Sequence, residues 1–340
     1  MLARTTVLVF GGTGLIGEPV VRSLAAAGAQ VTVVSRASRS IPPNVTHLAA
    51  ERRDARSLSA VLVGATYDVV IDTLAYDADD IELVAKVAGL RFRRYLAIST
   101  GQVYLVGRDG SPPFREEDAE RTLMDEPAAG TRDHANWTYG VGKRRMEAAL
   151  SALAESRGVE ACALRLPIVI GAGDVTGRLW AYVERLLDGG PLLVPGDVQQ
   201  PLRFVWSDDV ARLVTSMLTD RGALPAALNW AQPEVVTFER FIEALAAELG
   251  VTAPPLVVCS PDELAARGLD ANVSPYVSRW CSVLDSTLAT RRYGIGATPF
   301  RAALRSVVRG LRERSPPSDV GFVQRGPELD YAGYLLGLAK

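Results

Sequence analysis

The sequence predicts an α/β fold in which a parallel sheet carries helices on both of its faces. Short apolar runs of strand length alternate with segments of helical periodicity through the first half of the chain. The first run, residues 6–10, is apolar almost throughout, as expected for a strand buried on both faces. A glycine-rich turn at 11–17 joins this strand to a predicted helix at 15–27, which Gly28 ends.

The following elements continue the alternation. We predict a helix after Asp54, further helices at 79–88 and 140–157, and strands at 31–35, 45–50, 68–72, 94–100 and 161–166. Strands separated by helices favour a doubly wound parallel sheet with right-handed crossovers. Residues 107–136 are rich in Gly, Pro and charge and predict a long irregular loop, which is often a functional feature.

Beyond Gly171 the alternation becomes irregular. We predict a short strand at 191–196 and helices at 178–187, 208–219, 238–249, 261–268, 286–293 and 299–312. We therefore expect a first domain at 1–170 to which residues 200–232 return, a smaller lobe at 171–315, and a C-terminal tail at 316–340 that docks on the body or on a partner subunit.

Composition restricts the class of protein. With 48% hydrophobic and 22% charged residues among 340, the chain is typical of a globular protein. A formal net charge of −2 gives no overall attraction to nucleic acid or to anionic membranes, so we expect neither partner. Three distant cysteines favour reduced thiols in a cytoplasmic protein, and with two histidines they offer no metal-ligand spacing. We see no apolar stretch of bilayer-spanning length and no signal pattern.

The glycine turn predicts a dinucleotide-binding site of the Rossmann type. Gly11 permits a tight turn, Gly14 lets a pyrophosphate approach the backbone, and Gly17 lets the helix pack against the strand. N–H groups at the helix start would hold the phosphates, so we assign to the same site the residues Thr13, Leu15 and Ile16. A plain turn between strand and helix is the alternative.

The end of the second strand indicates which dinucleotide binds. A carboxylate there suits the ribose 2′-hydroxyl of NAD, whereas an arginine suits the 2′-phosphate of NADP. This strand ends in Ser35 and Arg36, with Arg39 close behind and no acid in place. We therefore favour NADP(H) over NAD(H), with a basic surface turn as the alternative. Glu51, just past the third strand, is placed to meet the adenine amino group.

The carboxyl edge of the sheet supplies more candidate residues. We expect the cofactor to be lined by the residues that follow the fourth strand, Thr73, Leu74 and Ala75. Tyr139 and Lys143, four residues apart at a predicted helix start, share one helix face. A nearby ammonium is expected to lower the tyrosine pKa from about 10, so that the pair exchanges a proton near neutral pH.

Thr100 completes this candidate catalytic set, because it offers a hydroxyl at the end of the fifth strand. The non-functional alternatives are a surface pair for Tyr139 and Lys143 and a turn that ends the strand for Thr100. The order of glycine turn, strand-end hydroxyl and Tyr–Lys pair favours catalysis over coincidence.

Over residues 5–310 these motifs resemble the extended short-chain dehydrogenase/reductases, the NAD-dependent epimerase/dehydratase family. The resemblance implies that Thr100, Tyr139 and Lys143 occupy the family's catalytic positions and that Lys143 also holds the nicotinamide ribose. The segment 164–171 is similar to the one that lines the nicotinamide, which implies cofactor contacts for Pro167 and Ile168. Residues 68–76 also resemble an atypical subgroup that includes chloroplast stem-loop RNA-binding proteins. Many family members are dimers, which is compatible with a homodimer here.

Departures from the family pattern bear on the substrate. Gly101 and Gln102 stand where sugar dehydratases carry Asp-Glu, so we do not expect elimination of water. We assign to the substrate site the residues Tyr76, Gln102, Trp137 and Arg203. The expected function is an NADP(H)-dependent oxidoreductase that reduces a ketone or oxidises a secondary alcohol on a sugar, an aminocyclitol or another natural-product intermediate of secondary metabolism. The alternatives are an NAD-dependent sugar or sugar-nucleotide epimerase and a non-catalytic protein that senses dinucleotide or binds RNA.

Overall fold

The computed structural model describes residues 2–38, 41–269, 273–314 and 324–338. Its strands are β1 (Thr6–Phe10), β2 (Gln30–Ser35), β3 (Thr46–Ala49), β4 (Val69–Asp72), β5 (Arg94–Thr100), β6 (Glu160–Leu166), β7 (Ile168–Ile170), β8 (Leu192–Val194), β9 (Pro201–Leu202), β10 (Phe204–Trp206), β11 (Ala227–Asn229), β12 (Val236–Thr237) and β13 (Leu256–Val258).

Its helices are α1 (Gly17–Ala26), α2 (Ala55–Leu62), α3 (Ala78–Ala85), α4 (Gln102–Leu105), α5 (Arg132–Arg157), α6 (Arg178–Asp188), α7 (Ser207–Thr219), α8 (Phe238–Leu249), α9 (Pro261–Ala265), α10 (Thr287–Tyr293), α11 (Phe300–Leu311) and α12 (Arg325–Leu335). A 3₁₀ turn spans Glu116–Glu120. Within the described ranges, no helix combines the length and apolar character that a bilayer crossing needs.

Seven strands form one parallel sheet in the order β11-β6-β5-β4-β1-β2-β3. Apolar residues of α1 and α7 pack on one face of the sheet, and those of α2, α3 and α5 pack on the other. The predicted doubly wound Rossmann fold is confirmed. The strand order reverses between β1 and β4, so a crevice opens there at the carboxyl ends of the strands.

The long loop prediction was wrong at its C-terminal end. Helix α5 begins at Arg132 rather than at 140, because the Thr131 side chain accepts a hydrogen bond from the backbone N–H of His134 at 3.1 Å. Tyr139 therefore lies two turns inside the helix and not at its start. A Thr cap preceding several polar residues was the signal that sequence reasoning passed over.

Beyond β6 the chain builds a second core. Three two-stranded sheets pair β7 with β10, β8 with β13 and β9 with β12. Rings of Tyr182, Phe204, Phe241 and Tyr276 pack there with centroids 5.3–5.7 Å apart. The division into domains at 1–170 and 171–315 stays a prediction. In the structure, β11 of the later chain pairs with β6 of the central sheet.

The described part of the C-terminal tail docks on α6. Arg185 of α6 and Glu328 of α12 form an ion pair with both side chains 1% exposed, and Arg185 Nε donates to Glu328 Oε2 at 2.9 Å. Arg325 donates to Asp188, the last residue of α6, at 2.5 Å. The charges of Arg185 and Glu328 are almost fully desolvated, so each depends on its partner, whereas Asp188 is exposed.

Replacing Glu328 with Gln should therefore destabilise the protein. Loss of one partner leaves a buried charge uncompensated, which typically costs about 3–5 kcal/mol of unfolding free energy. Asp330→Asn makes the same charge change on the same helix at an exposed position and should leave stability unchanged. Urea unfolding of both variants measures the difference; equal effects would contradict a stabilising role for the pair.

Candidate active site

A cavity of about 900 Å³ opens at the carboxyl ends of the central strands. Its walls come from the start of α1, the ends of β4, β5 and β6, one face of α5, the start of α6 and residues 275–282. Ten of the predicted site residues line it together: Leu15, Ile16, Thr73, Tyr76, Thr100, Gln102, Tyr139, Lys143, Pro167 and Ile168. The catalytic candidates and part of the cofactor candidates thus share one space, as the fold's switch point requires.

The glycine turn has the geometry of a phosphate cradle. Gly11 has φ +79°, and a Cβ on it would lie 2.3 Å from Thr73 Oγ1. A Cβ on Gly17 would lie 2.0 Å from the Gly11 carbonyl oxygen, so this residue lets α1 approach β1. Gly14 is different, since the nearest atom to an added Cβ is 3.9 Å away and its φ is ordinary. Packing does not require glycine there, whereas close approach of a ligand to the backbone would.

Backbone donors face the same crevice. Among the described residues, none accepts a hydrogen bond from the N–H groups of Thr13, Leu15 or Ile16. Unused N–H groups at a helix start are suited to an anionic ligand. The turn therefore fits the pyrophosphate of a dinucleotide.

The end of β2 carries the residues expected to recognise the 2′-phosphate. The Arg36 side chain is 84% exposed, and its Nε lies 4.0 Å from Glu51 Oε2. The Ser35 hydroxyl donates to the Ala37 carbonyl at 2.7 Å, so its proton serves the turn itself. Sequence reasoning missed His47, whose Nε2 lies 3.1 Å from Ser35 Oγ. Arg39 lies outside the described residues.

The turn after β4 is held by a buried ion pair. Asp72 is fully buried and accepts from Arg52 Nη2 at 2.5 Å and from the Tyr95 hydroxyl at 2.8 Å. Its second oxygen accepts from the Leu74 N–H at 2.9 Å, which fixes the backbone that follows the strand. Thr73 lines the cavity, whereas Leu74 packs beside Gly11 and Ala75 contributes a buried backbone carbonyl. Asp72 was predicted only as part of a strand, although an acid in an apolar strand is a signal.

The two catalytic hydroxyl candidates are neighbours. Tyr139 and Thr100 both line the cavity, and Thr100 is a hydrogen-bonding neighbour that lowers the Tyr139 pKa. Burial outweighs this effect and raises the pKa of Tyr139 to about 12. The expected lowering of this pKa by Lys143 was therefore wrong for the structure described. At neutral pH the phenol holds its proton and is a potential proton donor.

Lys143 is turned toward backbone carbonyls. Its Nζ donates to the carbonyl of Ala75 at 2.6 Å and to that of Ile98 at 2.8 Å, and it lies 5.9 Å from the Tyr139 ring centre. Burial lowers the pKa of Lys143 to about 8. The ammonium thus ties α5 to the ends of β4 and β5.

A buried polar network behind the cavity was missed at the sequence level. Ser99, next to Thr100, donates to Glu147 Oε1 at 2.5 Å. Arg165 of β6 donates to both Glu147 oxygens at 2.6–3.2 Å and to the Tyr104 hydroxyl at 2.9 Å. Tyr104 in turn donates to Asn229 of β11 at 2.6 Å. Glu147 follows Lys143 by four residues, so the spacing that singled out Tyr139 and Lys143 could have found it.

Two of the predicted substrate residues do not line the cavity, and their part in substrate binding stays a prediction. Trp137 does not line the cavity but packs against a cluster that contains Val106, Val141 and Trp280. Arg203 donates to the carbonyls of Gln232, Leu284 and Pro233, which makes it a brace between loops.

Tyr76 and Gln102 do line the cavity. Gln102 Nε2 donates to Asn136 Oδ1 at 3.1 Å, and its Oε1 is buried with no hydrogen-bond partner in the described ranges. In the described part of the chain, no cluster of three or more His, Cys, Asp or Glu side chains could hold a metal.

Comparison with known proteins identifies the family. Residues 7–230 match the model of the NAD dependent epimerase/dehydratase family. The 2′-dehydrokanamycin reductase of Streptomyces kanamyceticus is 27% identical over 293 residues, which cover 84% of this chain and 78% of that protein. The chloroplast stem-loop binding protein of 41 kDa b from Arabidopsis thaliana is 25% identical over 272 residues, 76% of this chain and 66% of that protein.

A solved structure agrees on the fold. The UDP-glucose 4-epimerase from Thermotoga maritima, determined with UDP-glucose, superposes with a TM-score of 0.70 at 20% identity, covering 91% of this chain and 99% of that one. The family match extends over well more than half of the sequence and includes the glycine turn, β5 and the Tyr–Lys pair. The chain therefore belongs to the NAD-dependent epimerase/dehydratase family, a group of extended short-chain dehydrogenase/reductase enzymes that bind a nicotinamide dinucleotide.

Proposed function

We propose that the protein is an NADP(H)-dependent oxidoreductase that interconverts a ketone and a secondary alcohol on a small polar substrate. The observation that carries the proposal is the shared cavity, in which Thr100, Tyr139 and Lys143 meet Leu15 and Ile16 of the glycine turn. Hydroxyl groups able to bind a reacting oxygen thus face the same space as donors able to hold a dinucleotide. We further propose that residues 171–315 form the lobe that selects the substrate.

The cofactor, when bound, supplies or accepts the hydride. The protein's own contribution is to the oxygen of the substrate. In the reducing direction, Tyr139 donates its proton to this oxygen and Thr100 hydrogen-bonds to it. At neutral pH the phenol of Tyr139 holds a proton that it can donate, although burial makes it a weaker acid than a free tyrosine. Lys143 holds α5 against the ends of β4 and β5 and keeps a positive charge near the phenol.

The substrate class is inferred from chemistry and from a relative. The relative from Streptomyces kanamyceticus is named a 2′-dehydrokanamycin reductase, which supports reduction of a ketone on a sugar-like ring. Gln102, with a buried and unpartnered Oε1, is suited to accept a hydrogen bond from a substrate hydroxyl. We therefore propose that the substrate is a ketone on a polar ring.

An NAD-dependent epimerase is the second candidate. One observation favours it: Glu51 approaches Arg36 and is a carboxylate near the end of β2, where NAD would be recognised. Under NADP(H) selectivity, Arg36 turns to the 2′-phosphate instead. The two functions therefore differ in the partner that Arg36 takes, and cofactor affinity separates them.

Tyr139→Phe should lower ketone reduction with NADPH by about 100-fold or more, since it removes the proton donor. The affinity for NADPH should stay near that of the wild type. Tyr293→Phe, which removes a tyrosine hydroxyl on α10 outside the cavity, is the control. Steady-state rates and nicotinamide fluorescence measure both effects, and a Tyr139→Phe variant with full turnover would exclude the role.

Arg36→Ala should weaken NADPH binding by about tenfold or more, the effect of losing one charge-assisted hydrogen bond, and leave NADH within about twofold. Glu51→Gln should instead strengthen NADPH binding, since it removes the carboxylate that approaches Arg36. Fluorescence titrations of both cofactors measure the ratio. Equal losses of NADPH and NADH in Arg36→Ala would reject NADP selectivity at this position.

Two alanine substitutions in the glycine turn should separate folding from binding. Gly17→Ala drives a methyl group into the Gly11 carbonyl and should cost about 1–3 kcal/mol of stability. Gly14→Ala has room and should leave stability within about 0.5 kcal/mol, yet lower NADPH affinity by about tenfold because it blocks the approach of the pyrophosphate. Unchanged NADPH binding by Gly14→Ala would show that the turn holds no dinucleotide.

A further inference from the structure

We propose that the cavity binds an anionic group of the substrate through Arg178 and the Tyr276 hydroxyl. The inference rests on the proposed function and narrows it: the preferred substrate is a ketone or alcohol that also carries a carboxylate or a phosphate. It separates this protein from enzymes that act on cationic aminocyclitols.

Arg178 is the first observation. It is the first residue of α6, directly after Gly177 in a left-handed conformation, and its side chain lines the cavity. Within the described ranges it forms no ion pair, and its one hydrogen bond runs from Nε to Thr176 Oγ1 at 3.1 Å. The two terminal nitrogens are therefore available for a bidentate contact with an anion.

Tyr276 is the second and independent observation. The residue is 1% exposed, and its ring is enclosed by Tyr182, Phe204 and Phe241. Its hydroxyl nevertheless has no hydrogen-bond partner among the residues that the structure describes, although buried hydroxyl groups are nearly always hydrogen-bonded. Tyr276 lines the same cavity, and the Arg178 guanidinium carbon lies 5.9 Å from its ring centre. A ligand held by Arg178 can satisfy this hydroxyl.

The charge of the cavity agrees with these contacts. Its charged lining residues in the described part of the chain are Arg132, Lys143 and Arg178, and no Asp or Glu side chain lines it there. The buried carboxylate of Asp174 accepts a hydrogen bond from Thr176 and is close enough to raise the pKa of Tyr276, but it does not line the cavity. The lining charges therefore favour anionic ligands over cations. An ammonium-bearing substrate would enter an unfavourable field.

The anion site and the catalytic tyrosine share one cavity, because Arg178 and Tyr139 both line it. In agreement, the positive charge of Arg178 lowers the Tyr139 pKa, although burial has the larger and opposite effect. An anionic group on Arg178 and a carbonyl at Tyr139 can thus belong to one small substrate. Arg178 then orients the carbonyl as a positioning residue.

Cofactor phosphates are a second source of negative charge, so the test uses uncharged and charged probes that the enzyme does not turn over. Binding of cyclohexanecarboxylate, cyclohexanecarboxamide and cyclohexylammonium to the NADP⁺-saturated enzyme is measured by calorimetry. We expect the carboxylate to bind about tenfold more tightly than the amide, the effect of one charge-assisted contact, and the ammonium to bind most weakly.

Variants assign the preference to its residues. Arg178→Gln should bring the ratio of carboxylate affinity to amide affinity close to one. Arg178→Lys should retain most of the preference for the carboxylate, and Tyr276→Phe should reduce this preference. Arg301→Gln, an exposed arginine outside the cavity, should leave it unchanged. Urea unfolding checks that the variants are folded.

The proposal would be overturned if the wild type bound the carboxylate and the amide equally well, or if Arg178→Gln left its preference for the carboxylate unchanged. If Arg178→Gln instead weakens NADPH while the ratio persists, Arg178 binds the cofactor and the proposal is equally wrong. Failure of the proposed function is read separately, from NADPH-dependent reduction of 4-oxocyclohexanecarboxylate and its amide. Equal reduction of both would leave the reductase in place without the anion site.

Discussion

The ion pair between Glu147 and Arg165 is the contact on which the candidate active site depends. It joins α5 to β6, and through Ser99 and Tyr104 it reaches β5 and α4. Thr100 is adjacent to Ser99, and Tyr139 lies on the same helix as Glu147. The relative position of the two catalytic hydroxyls is therefore set by a network of which only Ser99 lines the cavity. Preorganised donors of this kind require such support, because small shifts in position cost catalysis.

Sequence patterns were sufficient for the sheet. Buried strands such as β1 and β4 are continuous apolar runs, and the glycines at 11 and 17 follow from backbone geometry that only one residue type permits. Tyr139 and Lys143 were singled out by their helical spacing together with the glycine turn and the strand-end hydroxyl of Thr100, and their place in the cavity agrees with that pattern. These features are local, so a short window of sequence contains them.

Features that depend on long-range contacts were not accessible in this way. Arg203 and Trp137 have residue types suited to a substrate site. In the structure, however, Arg203 donates hydrogen bonds to loop carbonyls and Trp137 packs against an apolar cluster. The pKa of Tyr139 was mistaken for the same reason, because burial is a property of the assembled cavity and not of the spacing to Lys143. Tyr276 shows the opposite case. Nothing in its sequence context singles it out, and only the structure reveals that its hydroxyl is buried with no hydrogen-bond partner among the described residues.

The docking of α12 on α6 joins the last described helix to the helix that begins with Arg178. Arg178 opens α6, while Arg185 and Asp188 near its other end are anchored to Glu328 and Arg325. Eleven residues of helix form a rigid rod of about 16 Å, so a tilt at one end is transmitted to the other. Helix α12 thus braces the helix that begins with Arg178. If Arg178 orients the substrate as we propose, a change in the contacts of α12 would alter which substrates are preferred.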